Sequence, residues 1–348
     1  VGAPPPDRLG ELRRRYEAAG QGHVLRFAER LGAERLASFL DQLEGVDLQR
    51  LAGLFGSVQA PAGAAPPSLL PCPLIELGEG EEHRRRDRQA RAAGEEALAA
   101  GRVAAFVVAG GQGSRLGFEG PKGRFPVGPL TGRSLFAYHA QRVLAVSRRY
   151  GADAPLYVMT SEANHESTQA AFEEAQFFGL EREQVRFLVQ GMLPAVDPQG
   201  RLLLADEGSL FLSPDGHGGS LRALQRSGAL DEMQARGVRQ IFSFQVDNPL
   251  APVLDPVFLG HHLLGRAEMS SKVVAKTDAR EKVGIVAKVD GRVGVIEYSD
   301  LSPALAEQRD EQGRLRFRAG NIAIHVLETD FVRRLLGRGV ELPVHRAD

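Results

Sequence analysis

Apolar residues change texture twice along the chain. Over residues 7–55 they recur at helical spacing: Leu9, Leu12 and Tyr16, then Leu36, Phe39, Leu40 and Leu43, then Leu48, Leu51 and Leu54, with Arg and Glu filling the other positions. Residues three and four apart share one helix face, so this pattern predicts a small helical region. Residues 56–75 are rich in Pro, Ala and Gly and read as a linker. The charged stretch from Gly78 to Gly101 reads as a helix with a solvated face.

The pattern then becomes that of alternating strands and helices. Val103 to Val108 is a short apolar run between Gly101 and Gly110, as expected of a strand buried on both faces. A helix is expected over Ser134 to Tyr150, a strand over Leu156 to Thr160, then a helix rich in Glu and Ala, and a strand over Val185 to Val189. Residues 220–236 read as helical and Val238 to Val246 as another strand. This alternation predicts an α/β protein with a parallel sheet covered on both sides. From Lys272 to Val326 the texture turns β-rich, through KVVAK, VGIVAKV, VGVIEYS, RLRFRAG and NIAIHVL. A helical region with its linker over 1–75 and a larger core over 76–348 are therefore expected.

Composition narrows the function classes. With 348 residues, 43% of them hydrophobic, the chain can bury a large core. A net charge of −1 offers no global basic field for nucleic acid, so any phosphate binding must be local. Cys72 is the only cysteine, which excludes an intrachain disulfide and fits a reducing compartment. No apolar run approaches membrane-spanning length. The expectation is a soluble cytoplasmic protein.

The most informative segment is Ala109-Gly110-Gly111-Gln112-Gly113-Ser114-Arg115-Leu116-Gly117. It follows a buried strand, where open α/β sheets bind ligands. Its glycines let the backbone bend so that several N–H groups can face a phosphate chain. Two cations stand close by: Arg115, and Lys122 in Gly120-Pro121-Lys122-Gly123. A dinucleotide fingerprint fails because Leu116 stands where its third glycine belongs, and no Gly-Lys-Ser/Thr follows to make a P-loop. Two rivals remain: a dinucleotide-dependent oxidoreductase, which leaves Arg115 and Lys122 unexplained, and a protein that binds nucleotide sugars without turnover.

Gly-Gly-Gln-Gly-Ser-Arg-Leu-Gly followed by Pro-Lys-Gly resembles the signature of eukaryotic-type UDP-N-acetylglucosamine pyrophosphorylases and their UDP-sugar pyrophosphorylase relatives. Further segments agree in order: Val158-Met159-Thr160-Ser161, Gln190-Gly191-Met192-Leu193-Pro194-Ala195, Ser213-Pro214-Asp215-Gly216-His217-Gly218-Gly219, Val246-Asp247-Asn248, Val283-Gly284, Val295-Ile296-Glu297-Tyr298 and Ala319-Gly320-Asn321. The resemblance runs from about residue 100 to residue 348. It implies a Rossmann-like nucleotidyltransferase fold (GT-A-like), a mixed sheet flanked by helices, for residues 76–348. It also implies transfer of uridylyl from UTP to a sugar 1-phosphate, giving a UDP-sugar and pyrophosphate, with Mg²⁺ as cofactor.

The resemblance implies residue roles as well. Gly110, Gly111 and Gly113 would hold the nucleotide, with Arg115 and Lys122 catalytic beside them. Gln190 and Gly216 would meet the uracil, and His217 would lie close to the nucleotide or sugar. Asp247 would hold the metal, and Gly284, Glu297 and Asn321 would line the sugar pocket. N-acetylglucosamine enzymes usually carry Asn at the position of His217, whereas glucose-type and broad-specificity enzymes carry His. N-acetylglucosamine 1-phosphate is the expected substrate, with glucose-type or broad specificity as the alternative. In the family the pattern continues beyond the equivalent of Asp348, with a Phe-Val-Phe-Asp-like segment, a further lysine and a β-rich domain.

Overall fold

A computed structural model describes residues 7–59 and 68–338. The chain opens with helices α1 (Arg8–Ala18), α2 (Ala33–Glu44) and α3 (Leu48–Gln59), with a 3₁₀ stretch over Gly22–Arg30. The expected linker is only partly a linker: α3 runs through Gln59, and Leu69–Pro71 forms a short strand, β1. Residues 60–67 lie outside the described residues. Next come α4 (Glu81–Ala99), β2 (Val103–Val108), α5 (Leu135–Tyr150), β3 (Leu156–Thr160), α6 (His165–Glu174) and β4 (Val185–Val189). Four short strands follow: β5 (Met192–Pro194), β6 (Leu204–Asp206), β7 (Ser209–Leu210) and β8 (Leu212–Pro214). After them lie α7 (Gly216–Arg226), α8 (Ala229–Ala235), β9 (Gln240–Gln245) and α9 (Pro256–Leu264). The last elements are β10 (Met269–Ala275), β11 (Ile285–Val289), β12 (Arg292–Ile296), α10 (Pro303–Ala306), β13 (Ala319–Glu328) and α11 (Thr329–Gly337).

The segment Gly191–Gly219 groups with the N-terminal helices as one compact unit. Its core joins Leu12, Tyr16, Phe39 and Leu43 from the helices to Leu202 and Leu210 from the insertion. Gln21 ties the two backbones together: its amide donates to the Gly200 carbonyl at 2.9 Å and accepts from the Leu202 N–H at 2.9 Å.

The rest of the described chain forms the second unit, built on a nine-stranded mixed sheet of order β1-β11-β13-β9-β2-β3-β4, with β10 on β13 and β12 on β11. Strands β9, β2, β3 and β4 are parallel, and β13 runs antiparallel to β9. Alternation along β2 divides the core. Val103, Ala105 and Val107 pack with α4, α5 and α9 through Leu98, Leu135, Val143 and Leu259. Ala104 and Phe106 face the other way, against Leu224, Met233 and Val332 of α7, α8 and α11. Burying each large apolar side chain in these layers is worth ~1.5–3 kcal/mol.

One expectation is refined and one corrected. Residues 220–236 are helical as expected, in two pieces, because Gly228, at φ +75°, separates α7 from α8. The RLRFRAG segment is not a strand over its length. Leu315 and Phe317 are buried, but Arg316 donates its N–H to the Gln308 carbonyl, and β13 begins only at Ala319. A half-apolar alternation there serves a folded-back loop rather than a ladder.

Candidate functional site

Strands β2, β3, β4 and β9 end at one edge of the sheet, and their exits are bonded to one another. The Ala109 N–H donates to the Met159 carbonyl at 2.7 Å, Gln190 to Thr160 at 2.8 Å, and Val246 to Val108 at 3.0 Å. The glycine loop, Gln190 and Asp247 are thereby brought to the same edge.

Within the loop, the N–H groups of Gly110, Gly111 and Gln112 have no acceptor among the described residues. They are a set of free donors on half-buried to exposed backbone, the arrangement that receives anions. Gly113 differs: its N–H donates to the Gly120 carbonyl at 2.9 Å, and a Cβ there would meet Phe118 at 2.8 Å. It shapes the loop and offers no free N–H. Gly110 lies flat against the side-chain amide of Gln190, which a Cβ would reach at 2.6–2.8 Å. Gln190 is only 8% exposed, and its amide has no hydrogen-bond partner among the described residues. A buried amide with an unused donor and acceptor is suited to reading a base edge.

Lys122 crosses beneath the loop. Its N–H donates to the Gly111 carbonyl at 3.0 Å, its stem passes 3.7 Å from where a Gly111 Cβ would stand, and its Nζ lies 2.9 Å from Oδ2 of Asp247. Gly123 seats this turn on the core, since a Cβ would come within 2.4 Å of the Phe136 ring. The Lys122 and Asp247 side chains are 21% and 42% exposed, so the pair stands at the solvent edge. Arg115 is exposed in a 3₁₀ turn at Ser114–Leu116, and its guanidinium pairs with no described residue.

No group of three or more His, Cys, Asp or Glu side chains that could hold a metal ion exists among the described residues. Asp247 offers a carboxylate at this edge, beside Lys122. That donor set fits a hard cation taking most of its oxygens from bound phosphates and water, as Mg²⁺ does.

The end of β9 is held from below by α5. His139, buried, donates Nε2–H to the Val246 carbonyl at 2.8 Å, and Arg142 donates to the Ala251 carbonyl at 2.9 Å. Burial pushes His139 down to about 4, against the smaller opposing effect of its bond to Val246, so the ring is neutral near pH 7. With the proton on Nε2, the buried Nδ1 has no partner. Neither His139 nor Asn164, a buried residue beside the loop, was singled out by sequence pattern. A histidine on the apolar face of a helix reads as core, and an asparagine at a helix start reads as a cap.

The remaining residues lie on the antiparallel strands. β13 begins at the edge where β9 ends, because His325 pairs with Ser243 and Glu328 with Gln240. Its first residues carry Asn321, whose N–H donates to the Gly284 carbonyl at 2.8 Å. Gly284 in turn lies against the Glu297 carboxylate, 3.3 Å from where a Cβ would be. A bulge follows on β13, with Ala323 at φ +53° and its N–H bonded to Oδ1 of Asn321 at 3.0 Å. That bond fixes the Asn321 amide and leaves its NH₂ for another acceptor. Gly216 and His217 open α7, and the surroundings of the His217 side chain lie outside what is described.

Comparison with known proteins places these features in a context. A family model described as UTP–glucose-1-phosphate uridylyltransferase matches residues 78–345. The chain is 36% identical over 343 residues to UDP-N-acetylhexosamine pyrophosphorylase-like protein 1 of Xenopus tropicalis, covering 93% of this chain and 66% of that protein. It is 39% identical over 259 residues to UDP-N-acetylglucosamine pyrophosphorylase of Saccharomyces cerevisiae, covering 73% of this chain and 54% of that protein. It thus spans about half to two thirds of the length of these relatives. The crystal structure of a Trypanosoma brucei uridine diphosphate N-acetylglucosamine pyrophosphorylase, solved with an inhibitor, superposes with a TM-score of 0.79 at 29% identity, over 97% of this chain and 70% of that one.

Proposed function

Since the chain belongs to the UTP–glucose-1-phosphate uridylyltransferase family, we propose that the protein transfers uridylyl from UTP to a sugar 1-phosphate, N-acetylglucosamine 1-phosphate being the favoured acceptor. The observation that carries this reading is the convergence at one sheet edge of three free loop N–H groups, the buried unpartnered amide of Gln190 and the Lys122–Asp247 pair. The names of the 36% and 39% identical relatives favour the N-acetylated sugar.

A phosphate oxygen of the sugar 1-phosphate attacks the α-phosphorus of UTP. The new P–O bond forms as the bond from the α-phosphorus to the bridging oxygen breaks, and pyrophosphate leaves with the electron pair. No side-chain nucleophile or base is required, because the attacking phosphate is already anionic. The chain's contribution is alignment and fixed charge. Gly110, Gly111 and Gln112 donate N–H groups to the phosphate chain. Arg115 and Lys122 supply positive charge beside the leaving pyrophosphate. Gln190 pairs with the uracil edge. Glu297 and Asn321, set against Gly284, bind sugar hydroxyls. Mg²⁺, when bound at Asp247, would neutralise phosphate charge.

The test is a panel of UDP-sugars supplied with pyrophosphate and Mg²⁺ to the full-length protein. UTP release from UDP-N-acetylglucosamine is expected, with UTP bound more tightly than ATP or GTP by calorimetry. His217 is the one residue of the set that suits glucose-type or broad specificity, so faster release from UDP-glucose would move the reading to that class. Nucleotide-sugar binding without release would make the protein a non-catalytic binder.

A further inference from the structure

Asn164 occupies the N-cap position of α6, where an asparagine side chain ordinarily accepts a hydrogen bond from the first helical turn. It makes no such cap. The side chain, 1% exposed, turns toward the glycine loop instead. Its Nδ2 donates to the Ala109 carbonyl at 3.0 Å and reaches the Gly111 carbonyl at 3.4 Å, while Oδ1 accepts the Ser161 N–H at 2.8 Å. The Gly111 carbonyl also accepts the Lys122 N–H at 3.0 Å, so one amide gathers both the loop and the backbone of the lysine.

The consequence follows from peptide geometry. In a planar trans peptide the C=O of one residue and the N–H of the next point in opposite directions. Holding the Ala109 and Gly111 carbonyls inward therefore turns the Gly110 and Gln112 N–H groups outward, and these are two of the loop's three unbonded donors. Without Asn164, the Ala109 carbonyl would have no partner and its peptide could flip to seek water, while the Gly111 carbonyl would be held by the Lys122 N–H alone.

We infer that Asn164 is the positioning residue that orients the loop's N–H groups toward the pyrophosphate part of the nucleotide, a role that rests on the uridylyltransferase reading. The discriminating variant is Asn164→Asp, with Asn164→Ala beside it, in the full-length protein. Asp retains the acceptor for Ser161 and ranks with Asn as a helix cap, so a residue that only shaped the turn would be rescued by it. It also points a carboxylate at two carbonyl oxygens, so a loop-orienting residue would not be rescued.

Two readouts separate the outcomes. One is pyrophosphorolysis: the KM for pyrophosphate should rise about tenfold in Asn164→Asp, the loss of roughly one buried hydrogen bond, while the KM for UDP-sugar stays within about twofold. The other is amide exchange at Gly113, whose N–H is bonded inside the loop. It should quicken about tenfold for Asn164→Asp, beyond any change at the amides of β2. Parent-like pyrophosphate KM and parent-like Gly113 exchange in Asn164→Asp would overturn the inference. Faster exchange in a protein that releases no UTP from any UDP-sugar would sink the activity and leave the loop clamp standing.

Discussion

Strand β3 is buried throughout and β2 up to its last residue, whereas β12 leaves Val293 66% and Val295 44% exposed. The two strand groups deliver site residues in correspondingly different ways. On the parallel side, two exits from largely buried strands are each fastened by a buried polar side chain from another element: Asn164 on the glycine loop, His139 on the turn before Asp247. On the antiparallel side, Gly284, Glu297 and Asn321 are held by backbone contacts within the ladder and by a bulge at Ala323. Under the proposed function, the closely packed parallel half would align the phosphate chain. The half-exposed antiparallel half would have more room to adjust to one sugar or another.

The strongest way to break this contrast is to remove charge from each half. Asp247→Asn or Lys122→Ala should lower pyrophosphorolysis turnover on the order of a hundredfold, the usual scale for losing one preorganised electrostatic contact. Glu297→Gln should cost about tenfold at most and act mainly on the UDP-sugar KM. Steady-state kinetics on the three variants decides the matter: equal losses in turnover would erase the distinction between an aligning half and a sugar-reading half.

Next in size is an acid effect confined to the parallel half. His139 titrates near 4 in the folded protein because it is buried, against an ordinary value of 6.5, with Arg142 further disfavouring the proton and Asp247 favouring it. Between those values the unfolded chain takes up a proton that the folded one refuses, so stability is full above about pH 6.5 and falls as pH drops toward 4. At ~1.4 kcal/mol per unit, the loss between pH 6.5 and 5 is about 2 kcal/mol. His139→Gln, which carries a donor but no titrating group, should flatten that slope in urea melts across this range. An identical slope in parent and variant would mean that the ring is solvated.

Much of the parallel half is legible in the sequence, because its residues sit next to strong local signals. The glycine loop follows an apolar run, Lys122 follows Pro121, and Asp247 closes Ile241–Val246. The mixed sheet flanked by helices likewise agrees with what the motifs implied. The fastenings are not legible. His139 and Val246 are 107 residues apart, and Asn164 and Ala109 are 55 apart, so no spacing rule joins them. The break at Gly228 was hidden because apolar periodicity continues across it. The bulge at Ala323 is set by the register of β13 against β10, which one strand's pattern does not contain.

A smaller effect probes backbone clearance in both halves. Gly110→Ala would drive a Cβ to 2.6–2.8 Å from the Gln190 amide, whose buried position gives it little room to retreat. UTP affinity by calorimetry should fall about tenfold, or ~1.4 kcal/mol, within the range for an overpacked contact. Gly284→Ala meets the Glu297 carboxylate at 3.3 Å and the Ile296 carbonyl at 3.2 Å. Glu297 is exposed and can swing away, so UTP affinity should stay within about twofold. A larger loss from Gly284→Ala than from Gly110→Ala would reverse the assignment of which half is rigid.

The smallest effect is expected at Ala323, and it bears most directly on whether the antiparallel half is adjustable. A non-glycine residue at φ +53° carries a steric cost of about 1–2 kcal/mol. Ala323→Gly relieves it but adds chain entropy to the unfolded state, at about 0.5–1 kcal/mol, so the net gain is only about half a kcal/mol. The hydrogen bond from the residue 323 N–H to Asn321 Oδ1 survives, since it uses backbone. Melting temperature should therefore rise slightly or stay put. The freer bulge should let the Asn321 amide wander, raising the UDP-sugar KM about two- to threefold with turnover and pyrophosphate KM unchanged. A loss of turnover comparable to that of Asp247→Asn would show that the strained residue fixes the reacting geometry itself, and that the antiparallel half is as rigid in its task as the parallel one.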